Sequence, residues 1–477
     1  MVVPLRFTPV VAALVLVLIV DLACDDDSDE RYRFDASQGQ TSVDAAEADA
    51  APDMAPDLTP VACPRTTGPG TVHDQPVTAD ERWTAEASPH LVPADLTVYR
   101  TLTIEPCAQV RIGPRRTITV RDAGRLVAEG TPEQHIQVTA LQPGQPFASI
   151  SNVTGNFISL AYVDLDGGGD PLNSLPFLAG TLNISGADQT ATTAGVLKVD
   201  HVTIGNYASN GIVLRGGGGF APGSTSLTIK GAAQWPVSIW ARAVSTLPDG
   251  AYTGNTHDEI LLPTDAAYSE FVESTTLRDR GVPYRVGHAN SAADLRVDPL
   301  VLASNTPVLT IEPGVVLRFK KGGVLRVTAS TGTQPARAVL VAVGTAAKPI
   351  VFTSAEANPS AGDWLGIYFG QVPLAANRIE HAVVSFAGGA SASGSTSCLY
   401  PPDVRNDAAI RLFGNPGRVF VSNTVIADSA GYGIDRGYSA DTSLDFTATN
   451  TFTRVARCPQ SVQRVTSTPC PAMLACP

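Results

Sequence analysis

The stretch Leu102-Thr-Ile-Glu-Pro106 returns as Leu309-Thr-Ile-Glu-Pro313, and the residues that follow each copy also correspond. Val110, Ile112, Ile118 and Val120 fall opposite Leu317, Phe319, Leu325 and Val327 at a constant offset of 207. Further on, Leu126-Val-Ala-Glu-Gly130 matches Leu340-Val-Ala-Val-Gly344, and Val202-Thr-Ile204 matches Thr424-Val-Ile426, with the offset growing to 214 and then 222. Small steps of this kind are what insertions in turns produce. Within each copy the apolar residues come in pairs two apart, such as Leu102/Ile104, Val110/Ile112 and Ile118/Val120. A period of two places both side chains on one face of a strand. Glu-Pro, Gly-Pro, Ala-Gly and Gly-Thr-Pro turn formers separate the pairs at intervals of about eight residues. Three such strands make a coil of roughly 24 residues, the period of a parallel β-helix. An antiparallel sandwich would favour two-residue Asn-Gly or Asp-Gly loops between the pairs, and the sequence has few of them.

Composition agrees with an all-β chain. Charged residues are 16% and aromatic residues 6%, against 42 glycines and 36 prolines, which is poor in helix formers and rich in turns. The formal charge of -12 is concentrated near the start. Eleven acidic residues between Asp25 and Asp57, against Arg31 and Arg33, supply about -9 of it. The remainder is close to neutral and has no basic stripe, which argues against nucleic acid as a partner.

Arg6 is the only positive charge before the apolar run Val10 to Val20, which is long enough for a signal-peptide core and too short to span a bilayer. The run leads into Asp21-Leu22-Ala23-Cys24, which resembles a bacterial lipobox. Ala23 fits the pattern, and Asp21 departs from its aliphatic residue. The resemblance implies a signal peptide over 1–23 and a lipid on Cys24. Residues 24–63, rich in Asp, Ala and Pro, cannot bury a core and are expected to form a solvated tether. About 38 such residues reach roughly 35 Å, enough to hold a body clear of a membrane surface.

Six further cysteines, Cys63, Cys107, Cys398, Cys458, Cys470 and Cys476, form an even set in an exported chain and read as disulfides. None has CxxC spacing, so a zinc site is not expected. The favoured pairing is Cys63 with Cys107, clipping the end of the tether to the first turn of the fold. Cys107 stands where the second copy has the turn residue Gly314. The other four are expected to staple the C-terminal end.

Leu309-Thr-Ile-Glu-Pro-Gly-Val-Val316, Ala346-Ala-Lys-Pro-Ile-Val-Phe-Thr-Ser354 and Gly362-Asp-Trp-Leu-Gly-Ile367 resemble the bacterial right-handed parallel β-helix surface lipoproteins. The likeness extends from about Trp83 to Asn450. It implies the fold, a right-handed parallel β-helix with an internal duplication, and is weak for function. The layout expected is a first helix module over 64–221, a connecting β-rich segment over 222–300, a second module over 301–457 and a cysteine-rich cap over 458–477.

Candidate chemistry is sparse. Asp164-Leu-Asp-Gly-Gly-Gly-Asp170 offers Asp164, Asp166 and Asp170 as calcium ligands, since alternate carboxylates on a strand point the same way. The corresponding second-copy residues, Ser385 and Ala387, are not acidic, so the fold does not demand carboxylates there. Lys198-Val-Asp-His-Val202 superficially resembles an Ile-Asp-His signature of pectate lyases, but it also reads as a strand with Val199 inward and Asp200 and His201 at a turn. Beyond Asp25–Asp27 the sequence has no Asp-Asp pair and no Gly-His-Gly, and hydrolysis would need two carboxylates facing each other across a cleft. Gly216 to Gly219 lacks the Lys-Ser/Thr of a phosphate loop and reads as a turn. Trp235, Trp240, Trp364 and Tyr368 could stack on sugars, but buried packing is the commoner role of such rings. The functional expectation is therefore a non-enzymatic, lipid-anchored envelope module, at the outer membrane or cell surface, that binds glycans or an envelope protein. No catalytic residues or cofactor are assigned, calcium aside. The alternative is a carbohydrate-active lyase or hydrolase. An acidic cluster in a groove would favour the enzyme, and a Thr/Asn-lined face would favour the binder.

Overall fold

The computed structural model describes residues 63–64, 66, 68–153, 155–172, 178–187, 194–264, 269–288, 294–299, 305–328, 335–390, 407–414, 416–436, 444–461 and 476. The signal segment, Cys24, nearly all of the tether, Cys398 and Cys470 lie outside them.

Among the described residues the chain forms 36 strands and one short 3-10 helix, Ala241–Thr246. The strands fall into sheets of 12, 13, 6 and 5 strands. All the strand pairings that build these sheets are parallel. Through most of the second half each strand pairs with the strand three places further along. Val308–Ile311 pairs with Val339–Val343, Val316–Phe319 with Ile350–Ser354, and Val324–Val327 with Gly366–Phe369. Parallel neighbours cannot be joined by a hairpin, so the chain must travel round two other faces before returning. The result is a three-sided coil, the parallel β-helix architecture that the period-two pairs and eight-residue spacing call for.

The inward side chains stack into columns along the coil. Ile104, Ile112, Val120, Ile136, Ile311, Phe319, Val327 and Ile350 all belong to one continuous buried core. Burying an aliphatic or aromatic side chain of this size stabilises by about 1.5–3 kcal/mol, so each added coil extends the same stabilisation. Asparagines at the turns tie successive coils together. Asn255 accepts from the Ala232 amide at 3.1 Å and from the Tyr207 hydroxyl at 2.9 Å, and donates to the Ile229 carbonyl at 3.1 Å. Such bonds satisfy backbone groups that a corner removes from the sheet ladder.

The two sequence copies do not share faces. The 13-stranded sheet carries the column Ile118, Ile150, Leu182 and Ile212 of the first copy. It then runs through Ile260 and Tyr284 into Leu317 and Phe352 of the second. Leu325, the sequence counterpart of Ile118, lies instead in the six-stranded sheet. The 12-stranded sheet ends at Gly250–Ala251, and the six- and five-stranded sheets begin at Glu270–Phe271 and Thr275–Leu277. The segment 222–300 thus continues the stack while shifting the second copy by one face.

Cys63 is bonded to Cys107 and Cys458 to Cys476. Cys107 holds a left-handed backbone, φ 65°, at the position of Gly314, φ 91°. Phe147 and Trp364, which stand near corresponding places in the two copies, are both fully buried.

Candidate functional site

In the 12-stranded sheet two long strands, Ile158–Asp166 and Ala194–Tyr207, run across a corner of the coil and keep their register on both sides of it. The bend is made by one left-handed residue in each, Tyr162 (φ 50°) and His201 (φ 52°), and by Ser226 (φ 51°) in the next strand. A left-handed backbone in a residue with a Cβ costs about 1–2 kcal/mol, so the position is usually given to glycine. Here it aims side chains outward from the corner, one above the other. Val163 pairs with both Ile136 and Val202, which sets His135, Tyr162 and His201 in one column.

The three rings form a ladder along the coil axis. Tyr162 and His201 lie 4.8 Å apart with planes 5° from parallel, and His135 lies 5.7 Å from Tyr162 at 58°. Each histidine is held by a carboxylate. His135 Nδ1 is 3.0 Å from Asp164 Oδ2, and His201 Nδ1 is 2.7 Å from Asp200 Oδ1. A carboxylate only accepts, so each Nδ1 carries the hydrogen and each ring keeps Nε2 for an outside partner. The next residue of the column is Ser226, which adds no ring to the ladder. His201 is 52% exposed and His135 39%.

Beside the ladder, outward side chains form two further columns. One is Gln109, Gln137, Asp164, Thr203 and Thr228, and the next is Arg111, Thr139, Asp166, Gly205 and Lys230. Gly205 leaves a dent, because a Cβ there would meet only the Asp166 carboxylate, at 3.7 Å. Asp166 accepts from Asn206 Nδ2 at 2.8 Å. Past that corner lies a cleft of about 590 Å³, bounded by Pro143, Gln145, Asp166, Asn206 and Ala208. The 13-stranded sheet shows a second polar stripe, Thr97, Thr119, Ser151 and Asn183, with the Thr119 and Ser151 hydroxyls 3.2 Å apart.

The structure therefore brings Asp164, Asp200 and His201 to one corner and adds His135 and Tyr162, which sequence reasoning misses. A signal for them exists. His135, Tyr162 and His201 each stand directly before an inward pair, Ile136/Val138, Val163/Leu165 and Val202/Ile204. Asp170 takes other partners, accepting from the Leu172 amide at 3.0 Å and lying 3.8 Å from Arg115. Among the described residues no three His, Cys, Asp or Glu side chains gather as a metal-ligand set. Of the rings considered for sugar stacking, Trp240, Trp364 and Tyr368 are buried. Trp235 stacks on His257 at 4.9 Å. Gly216 and Gly217 form a left-handed turn between strands Asn210–Arg215 and Gly218–Phe220.

No protein-family model matches the chain, and no match was found among curated proteins or solved structures.

Proposed function

We propose that this chain is a non-enzymatic, lipid-anchored envelope protein whose rigid β-coil binds extended ligands such as glycans. The observation that carries the reading is the ring ladder His135–Tyr162–His201 beside columns of Gln, Asp and Thr. Rings supply apolar contact to sugar C–H faces, and the flanking carboxylates and amides supply acceptors and donors for hydroxyls. Coils repeat at about 4.8 Å, so a dozen or so present groups at regular intervals over roughly 60 Å, which suits a polymer better than a small molecule. The Thr/Ser/Asn stripe on the 13-stranded sheet points the same way.

Export and anchoring rest on the sequence from Arg6 to Cys24 and on the acidic tether that follows. The outer membrane or cell surface is the location this implies, with the lipid as the membrane contact and a glycan or envelope protein as the partner.

One observation favours the alternative of a carbohydrate-active enzyme. Asp200 orients His201 as a carboxylate orients a general base. A glycan array read together with product analysis separates the two. Binding should fall by at least about tenfold in Tyr162→Ala and His201→Ala, with no change in ligand length. Unsaturated product from a uronate polymer, abolished by Asp200→Ala, would establish the lyase instead.

A further inference from the structure

Among the described residues the N-terminal edge of the 12-stranded sheet is the two-residue strand Thr71–Val72, which pairs there only with His90–Val92. Thr71 and Val72 are exposed, and the side chain that roots this edge is His73, whose ring is 11% exposed. His73 and His90 both lie against Trp83, with ring centroids 4.1 Å and 5.0 Å from it. Trp83 and His90 are almost completely buried.

The polar contacts form a chain in which hydrogens can be counted. His90 Nε2 is 2.9 Å from the Thr84 carbonyl, which only accepts, so Nε2 carries a hydrogen. His73 Nδ1 is 3.1 Å from Glu81 Oε1, which also accepts from the Trp83 indole N–H at 2.8 Å, so Nδ1 carries one too. Between the rings, His73 Nε2 and His90 Nδ1 are 3.0 Å apart, and one hydrogen fits there. Three hydrogens on four nitrogens satisfy every contact, with the single positive charge next to Glu81. Two neutral rings leave one contact without its hydrogen. A fourth hydrogen sets two N–H groups head-on between two buried cations.

We infer that the chain Glu81–His73–His90–Thr84 is an acid-released latch. Protonation of both rings sets two N–H groups head-on at the 3.0 Å contact between them and detaches strand Thr71–Val72, uncovering Trp83 and the edge of His90–Val92. Glu81 is the acid that acts on both rings, and the neighbour in register with His90 on the far side is the apolar Val110. Burial holds both imidazoles below the ordinary histidine value of 6.5, an effect Glu81 partly opposes at His73. A group whose folded value is depressed contributes stability that is complete above the unfolded value and is lost as pH falls below it. The edge should therefore be closed at neutral pH and loosen on acidification.

Hydrogen exchange on the full chain tests this, with rates corrected for the intrinsic pH dependence of exchange. Peptides covering 71–73 and 90–92 should lose protection by at least about tenfold between about pH 7.5 and about pH 5, while Val339–Val343 stays protected. Equal protection across that range, or a loss shared by the whole coil, overturns the latch. Glu81→Gln keeps an acceptor for His73 and the indole but removes the counter-charge, so the edge should open at higher pH. His73→Phe keeps a ring against Trp83 and removes the second cation that would face His90, so its profile should be flatter than that of the wild-type protein. Should that variant be open at every pH, the Glu81→Gln midpoint decides, and an unshifted midpoint overturns the inference.

Discussion

Phe319 lies face to face on Trp364, with ring centroids 4.3 Å apart and planes 6° from parallel, and both side chains are fully buried. The two residues come from neighbouring parts of successive coils, and the Trp364 indole N–H is satisfied by the Ser385 carbonyl at 2.8 Å. The pair thus joins apolar packing to a bond that reaches another coil. Phe319→Ala would leave Trp364 without its partner ring and open a cavity in a core that cannot collapse without breaking strand register. We expect a loss of about 3–5 kcal/mol, read as a lower midpoint in denaturant unfolding. Phe319→Leu should cost less than half of that, because most of the volume is retained.

The left-handed turn at Cys107 separates two effects of one residue. Linking Cys63 to Cys107 closes a loop of 44 residues and, by the chain-entropy argument, contributes about 4 kcal/mol. Cys107→Ala and Cys107→Gly both remove the link, but only glycine adopts the left-handed backbone freely. The glycine variant should therefore be more stable than the alanine variant by about 1 kcal/mol. Thermal melts of the two variants give the comparison, and equal melting temperatures would show that the turn had rearranged.

Glu259 is buried and receives both Arg318 and Arg285, the latter with Nη1 3.6 Å from Oε2. Arg285 also donates to the Ala355 carbonyl at 3.2 Å. Glu259→Gln keeps the shape but leaves two guanidinium groups facing each other. The arginines are partly exposed, so the expected loss is about 2 kcal/mol rather than the larger value of a fully buried pair. The double variant Glu259→Gln/Arg318→Gln should recover part of it, which a double-mutant cycle would measure.

Anchoring can be tested without reference to the ligand. If Cys24 carries lipid, Cys24→Ala moves the protein out of the membrane fraction, and the wild-type protein gains the mass of the acyl groups at a mature N-terminal cysteine. Unchanged partitioning of the variant would remove the lipoprotein reading and leave the binding reading intact.

Much of this protein follows from local rules that act within a few residues. Ile104, Ile112, Phe319 and Val327 face inward because side chains alternate along a strand, whatever the rest of the chain does. Turn chemistry every eight residues or so stops each strand and returns the chain, so parallel coiling and the duplication are legible in the amino-acid order alone. The pairing of Cys63 with Cys107 is legible as well, since the turn position that Gly314 marks in the second copy shows Cys107 to be out of place. Other features depend on how many residues each turn spends before a strand meets its neighbour, and this sum over many turns is not local. It decides that Ile118 shares a column with Leu317 and not with Leu325. It also decides that His135, Tyr162 and His201, far apart in sequence, stand in contact on one corner, with Asp164 reaching the histidine of the adjacent coil. Inward positions are set by alternation, and outward neighbours are set by register between coils. The core is therefore written in the sequence, and the candidate site is assembled only by the tertiary structure.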